Sequence, residues 1–262
     1  MEPLGWDPHC HLQLSPLYQE AEALLRSASE VGVAGCLVPS YGPKEWPRQT
    51  ELLSLKGVVH ALGIHPWCVP DNEPDELIEQ LDHAFESYPR LWGSRLRAVG
   101  EFGLDRAKKN LKDCYPAQKR LFKRHLQWAE RLSLPVILHV VKAHGSCQEL
   151  LSEGPTPEVG VVHSFSGPVE LFHLYEDFEL CFSYSGSLAR SQRARQALKN
   201  TPHHKIMFET DGPEGPSLPH HDMLSPESLP AVVKLGAEVL GKTEDWCWAL
   251  HRENCQRVFG SL

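Results

Sequence analysis

No apolar run in this 262-residue chain reaches the roughly 20 residues needed to cross a bilayer, and the opening MEPLGWDPHC lacks the basic stretch and apolar core of a secretory leader. Neither a membrane span nor a leader is expected, and the chain reads as cytoplasmic. Its eight cysteines never form a C-x-x-C pair, and their scatter from Cys10 to Cys255 lacks the density of a small disulfide scaffold. Reduced thiols are expected. Positive charge is in deficit, with 26 Lys+Arg against 34 Asp+Glu and a formal net charge of -8, which argues against a general nucleic-acid coat. An acidic protein still processes a phosphodiester where bound divalent cations carry the positive charge. No Gly/Ser linker or charge block divides the chain, its hydrophobic content of 41% suits one large core, and one α/β barrel takes about 250 residues. Residues 1–262 therefore read as one domain. Nothing identifies a protein partner, and a monomer is expected.

What the chain does have is alternation. Short apolar, β-branched runs at 5–11, 33–39, 58–64, 97–101, 135–139, 159–163, 180–184 and 205–209 predict eight strands. Between them, 16–30, 44–55, 74–87, 116–133, 144–152, 168–175 and 191–199 predict helices, several with Pro near the first turn. Two more follow at 226–240 and 243–258, the second led by Thr243 and stopped by Gly260. Eight strands alternating with helices imply a parallel (β/α)8 TIM barrel, whose chemistry sits at the C-terminal ends of the strands.

Metal-ligand side chains fall at those ends. His11 closes the first predicted strand, Glu101 the fourth, His139 the fifth and His163 the sixth; His65 follows the third and Asp211 the eighth. Along a strand, successive side chains alternate, so His9 and His11 share a face while Cys10 turns into the packing. Buried histidines paired with a carboxylate would explain the His9/His11 motif alone; the other ligand positions favour a metal.

Six motifs in order carry a family resemblance: Asp7-Pro8-His9-Cys10-His11-Leu12, Gly63-Ile64-His65-Pro66, Gly100-Glu101-Phe102-Gly103-Leu104-Asp105, Pro135-Val136-Ile137-Leu138-His139, His163-Ser164-Phe165-Ser166-Gly167 and Glu209-Thr210-Asp211-Gly212-Pro213. The chain resembles the TatD family of metal-dependent hydrolases along its whole length, including Glu253-Asn254-Cys255-Gln256-Arg257-Val258-Phe259. The resemblance implies a distorted TIM barrel and metal-dependent phosphodiester hydrolysis, often as a deoxyribonuclease trimming DNA from the 3′ end. It also implies two divalent ions: His9, His11, Glu101 and Asp211 would hold one, and Glu101, His139 and His163 the other. Glu101 would bridge them, as a carboxylate with two oxygens does between ions roughly 3.5–4 Å apart. Glu101 and Asp211 are the catalytic candidates, with Asp211 orienting the attacking water or taking its proton. Four imidazoles favour zinc or manganese, also iron or nickel, over magnesium, although magnesium is the metal often described for the family.

The chain departs from that family where phosphate is held. Val141 and Lys142 follow His139 where an Arg is usual two residues on, and Lys142 is a point charge without the bidentate fork of Arg. The loop at 215–221 also replaces an Arg-containing one. Lys142, Arg190 and His65 are the candidate substrate contacts; Arg190 is nearer the strand end than Arg193 and Arg195. Trp67 would stack on a base or cover the core edge. Asp105 would orient a metal-bound His or cap a helix. Lys119, Arg120, Lys123 and Arg124 read as a solvated face, and the pairs His203-His204 and His220-His221 as exposed loops. DNA is the expected substrate. Hydrolysis of an ester or amide by the same barrel, including the ester of a D-aminoacyl-tRNA, is the alternative, and a silent binding scaffold is a third reading.

Overall fold

The computed structural model describes residues 4–69, 74–107, 113–219, 221 and 223–261; His220 lies outside them. Eight strands, β1 (Gly5–Asp7), β2 (Val33–Val38), β3 (Val58–Leu62), β4 (Leu96–Asp105), β5 (Val136–Val141), β6 (Gly160–Val162), β7 (Leu180–Tyr184) and β8 (Ile206–Phe208), form one sheet in sequence order. Every paired neighbour is parallel. Helices α1 (Ala21–Glu30), α2 (Trp46–Glu51), α3 (Pro74–Trp92), α4 (Tyr115–Leu132), α5 (His144–Glu153), α6 (Gln192–Asn200), α7 (Leu229–Leu240) and α8 (Glu244–Phe259) complete a TIM-type barrel.

Strand alternation explains the interior. Trp6, Leu37, Val59, Ala61, Ala98, Ile137, Val161, Cys181 and Met207, from all eight strands, pack together with Cys255, Val258 and Phe259 of α8. That plug fills the N-terminal end of the barrel and leaves the C-terminal end to polar groups. The opposite faces of the strands pack against the helices in a larger core that includes Phe85, Phe102, Phe122 and Phe182. All eight cysteines are free, and Cys10 lies buried with Leu12, Leu17 and Cys36, away from the site.

The barrel closes by side-chain bridges and a few backbone bonds beyond the strand ends rather than by a regular ladder. Among the described residues β1 and β8 form no regular pairing. His251 of α8 bridges them instead, donating from Nε2 to Trp6 O at 2.9 Å and accepting at Nδ1 from Phe208 N at 3.2 Å. Higher up, Asp7 bonds Thr210 through both carboxylate oxygens, Asp211 N donates to His9 O at 2.9 Å, and His11 N donates to Gly212 O at 2.7 Å.

Three expectations shift. The first strand stops at Asp7 because its carboxylate accepts His9 N at 3.2 Å and turns the chain, so His9 and His11 converge from a loop. The fourth strand runs on to Asp105, since pairing with β5 resumes at Phe102↔Leu138 after an irregular register; Glu101 and His139 are thus inside their strands. Residues 169–175 form a 3-10 helix, not an α-helix.

Candidate metal centre

Glu101 stands at the floor of a cavity of about 450 Å³ at the C-terminal end of the barrel. Its side chain is fully buried, and its two oxygens face different imidazoles. Oε2 lies 3.2 Å from Nε2 of both His9 and His11. Oε1 lies 2.7 Å from His163 Nε2 and 2.9 Å from His139 Nδ1. Asp211 Oδ1 approaches the first group, 3.6 Å from His9 Nε2 and 3.8 Å from His11 Nε2. All six residues expected at the site come together.

Glycines make the approach of Glu101 possible. A Cβ on Gly103 would meet His139 O at 1.8 Å, and one on Gly100, whose φ is +154°, would meet Ile137 Cβ at 2.7 Å. The Gly-Glu-Phe-Gly run therefore lets β4 press its carboxylate against His139.

The electrostatics suit cations. Burial acts to raise the Glu101 carboxyl, but His163, His65 and His9 hold it well below the usual carboxylate range. Burial raises Asp211, against the pull of His163 and His9. Glu101 Oε2 has no hydrogen bond, although two imidazole nitrogens, themselves 3.3 Å apart, lie beside it. A buried carboxylate oxygen without a hydrogen bond is costly unless a cation meets it. By the spacing of their ligand atoms, His9, His11 and Glu101 form one group that could hold an ion, and His9, His163 and Asp211 another. The donor set fits divalent metal ions.

His65, His139 and Glu101 form a third group by distance, His65 Nε2 lying 3.3 Å from Glu101 Oε1. Its tautomer argues otherwise. His65 Nδ1 accepts the Trp67 backbone N–H at 3.0 Å, so the neutral ring carries its proton on Nε2 and points a donor at the site. Burial holds His65 down at about 3, which keeps it neutral.

The cavity wall answers the other expectations. Lys142 lines it, with a left-handed φ of 54°. Arg190 does not; it is exposed and donates to Ser217 Oγ at 3.3 Å, whereas Arg193 lines the cavity. Ser191 explains the exchange, since its Oγ accepts Ala194 N at 3.1 Å and starts α6 just after Arg190, which sets Arg193 on the first turn. Ser164 and Ser166, from the motif that begins at His163, also line the wall, as do Tyr41, His144 and Glu214, which carried no sequence signal. Arg120 and Lys123 are exposed and Arg124 half-buried on the outer face, as expected of a solvated surface, where they pair with Asp75, Glu153 and Asp82 of neighbouring helices.

A family model described as "TatD related DNase" matches residues 6–260. The chain belongs to the TatD family. It is 30% identical over 213 residues to the Escherichia coli (strain K12) protein "Uncharacterized metal-dependent hydrolase YjjV", covering 80% of each chain. It is 27% identical over 216 residues to human "Deoxyribonuclease TATDN3", covering 79% of this chain and 77% of that one. The crystal structure of YjjV, a TatD homologue from Escherichia coli K12, superposes with a TM-score of 0.90 at 27% identity over 100% of both chains. The TatD-family protein is thus a metal-dependent hydrolase, built on the barrel that its strand pattern implies.

Proposed function

We propose that this TatD-family hydrolase cleaves phosphodiester bonds of DNA, working from the 3′ end, with two divalent ions held on either side of Glu101. The observation that carries the reading is the division of labour within that one carboxylate: Oε2 serves His9 and His11, Oε1 serves His139 and His163. His9, His11, Glu101 and Asp211 would hold the first ion, and Glu101, His139 and His163 the second. When bound, such ions supply Lewis acidity that activates water and draws charge from a phosphoryl oxygen.

The chain's own residues do the rest. Asp211, partly open to the cavity, orients the attacking water and accepts its proton. His65 Nε2–H faces the same space and donates to phosphoryl oxygen. Lys142 and Arg193 place positive charge at the mouth, where the next phosphate of a strand would lie. Trp67, 37% exposed at the rim, offers a ring to a base. A relative named as a deoxyribonuclease supports the choice of DNA.

One observation favours a second reading. Val141 lines the cavity two residues after His139, so no guanidinium grips phosphate there, and hydrolysis of an ester or amide, including a D-aminoacyl-tRNA ester, fits the more apolar wall.

The test is hydrolysis of 3′-labelled single-stranded DNA by chelator-stripped protein reconstituted separately with magnesium, manganese and zinc, with Glu101→Ala as the blank. Metal-dependent product that vanishes in Glu101→Ala is expected. No product with any metal, from protein that binds two ions, would sink the nuclease reading, and turnover of an ester panel would install the second.

A further inference from the structure

His65 and His139 are neighbours, with Nε2 of one 3.2 Å from Nδ1 of the other, yet their outer hydrogen bonds differ. The remaining site imidazoles, those of His9, His11 and His163, turn Nε2 toward Glu101; His139 turns Nδ1. Its Nε2 therefore points outward, where Asp105 Oδ2 lies 3.2 Å away. An acceptor there keeps the proton on Nε2 and leaves the Nδ1 lone pair facing the site.

Asp105 is built for this. Its Oδ1 accepts Ala107 N at 2.6 Å, and its Oδ2 accepts Trp67 Nε1–H at 2.7 Å besides His139. The backbone is clamped as well: Asp105 N donates to Gln118 Oε1 at 2.9 Å, and Gln118 Nε2 donates to Asp105 O at 3.3 Å. Both carboxylate oxygens are thus engaged as acceptors of N–H groups that can only donate, so the group that faces His139 Nε2 accepts and does not donate.

Trp67 is the common element. Its backbone N–H fixes His65 as a donor, and its indole N–H fixes the carboxylate that makes His139 an acceptor. We infer that Asp105 and Trp67 are a positioning pair that sorts two adjacent imidazoles into different roles, His139 as metal ligand and His65 as proton donor to substrate. The inference rests on the two-ion reading above and adds residues that touch no ion.

The experiment measures zinc affinity by chelator competition, with ion stoichiometry and the absorption spectrum of the cobalt(II)-loaded protein, for wild type, Asp105→Asn, Asp105→Glu, Trp67→Phe and His65→Asn. Asn at 105 turns an amide donor toward His139 and reverses its tautomer. The expected result is a loss of about 10- to 100-fold in affinity for one ion only, with a shifted cobalt spectrum. Asp105→Glu restores part of the loss. Trp67→Phe keeps the ring but removes the indole N–H, and gives a smaller loss at the same ion.

His65→Asn is expected to keep both ions at wild-type affinity while hydrolysis falls. Wild-type affinity and spectrum in Asp105→Asn overturn the inference, as does loss of an ion in His65→Asn. Should Asp105→Asn fail to fold, Trp67→Phe decides: unchanged affinity and spectrum there overturn it. A wild type that binds a single ion refutes the two-ion reading separately, and the positioning role then stands or falls on whether Asp105→Asn weakens that ion.

Discussion

Asp7 and Thr210 lock the first and last strands of the barrel together: Asp7 Oδ1 accepts Thr210 N at 3.2 Å, Oδ2 accepts the Thr210 hydroxyl, and both residues are fully buried. The same Oδ1 accepts His9 N at 3.2 Å, which sets the turn that delivers His9 and His11. The aspartate of the Asp-x-His-x-His motif thus holds the frame while the histidines face Glu101.

Thr210→Val removes the hydroxyl at nearly constant volume and leaves a buried carboxylate oxygen short of a donor. The expected cost is about 1–3 kcal/mol of stability, read as a lower urea midpoint at unchanged m-value. Thr210→Ser keeps the hydroxyl and should recover most of it. Equal midpoints for Val and wild type would mean that the hydroxyl contributes nothing to closing the seam.

That lock shows where the sequence stops being readable. The candidate ligand positions were legible because their residue types recur at the ends of the expected strands, and the strand pattern alone placed the barrel. Asp7 carries no role in the sequence beyond its place in the motif, because its partner is 203 residues away and nothing local marks Thr210 as that partner. The end of β4 was misplaced for a related reason: the pairing that carries it to Asp105 is made with β5, across an irregular register that period-2 patterning does not encode. Distance along the chain favours Arg190 but stands in poorly for direction, and the Ser191 cap turns Arg193 to the cavity instead.

The cation assignment is measurable through salt. If Lys142 and Arg193 each neutralise a phosphate of bound DNA, Lys142→Ala and Arg193→Ala should each flatten the slope of log affinity against log salt by about 0.7 on a single strand. Arg190→Ala should leave the slope alone, because Arg190 lies outside the cavity and against Ser217. An effect at 190 without one at 193 would reverse the assignment. The readout is binding of labelled single-stranded DNA to a non-hydrolysing Asp211→Asn background between low and moderate salt.

Gly103 is where fold and site meet most tightly. A Cβ there would fall 1.8 Å from His139 O, well inside van der Waals contact, and the obstacle is backbone that cannot swing aside. Gly103→Ala must push β4 from β5 at the level of Glu101 and His139. The expected cost is about 3 kcal/mol or more in stability, with weaker metal binding. Gly145→Ala is the control, since nothing lies within 4 Å of a Cβ at that position. A Gly103→Ala protein with wild-type unfolding and metal affinity would contradict the close approach that sets Glu101.

Two histidines away from the site make stability fall with acid. His125 accepts Ile64 N at Nε2, 3.0 Å, and bonds Leu121 O at Nδ1, 2.7 Å, while His251 bridges β1 and β8; each ring uses one nitrogen as acceptor and so must be neutral. Burial holds both down at about 4, against about 6.5 in an unfolded chain. Between those values the unfolded state binds more protons than the folded one, so stability rises with pH there. Their contribution is complete above about pH 6.5, declines as pH falls toward 4 and is flat below, each ring accounting for a loss on the order of 3 kcal/mol. Urea midpoints at pH 7, 6 and 5 should fall steadily in wild type and less steeply in His125→Gln, whose amide offers an acceptor without a titrating proton. Identical pH slopes in the two proteins would mean that His125 protonates as readily folded as unfolded.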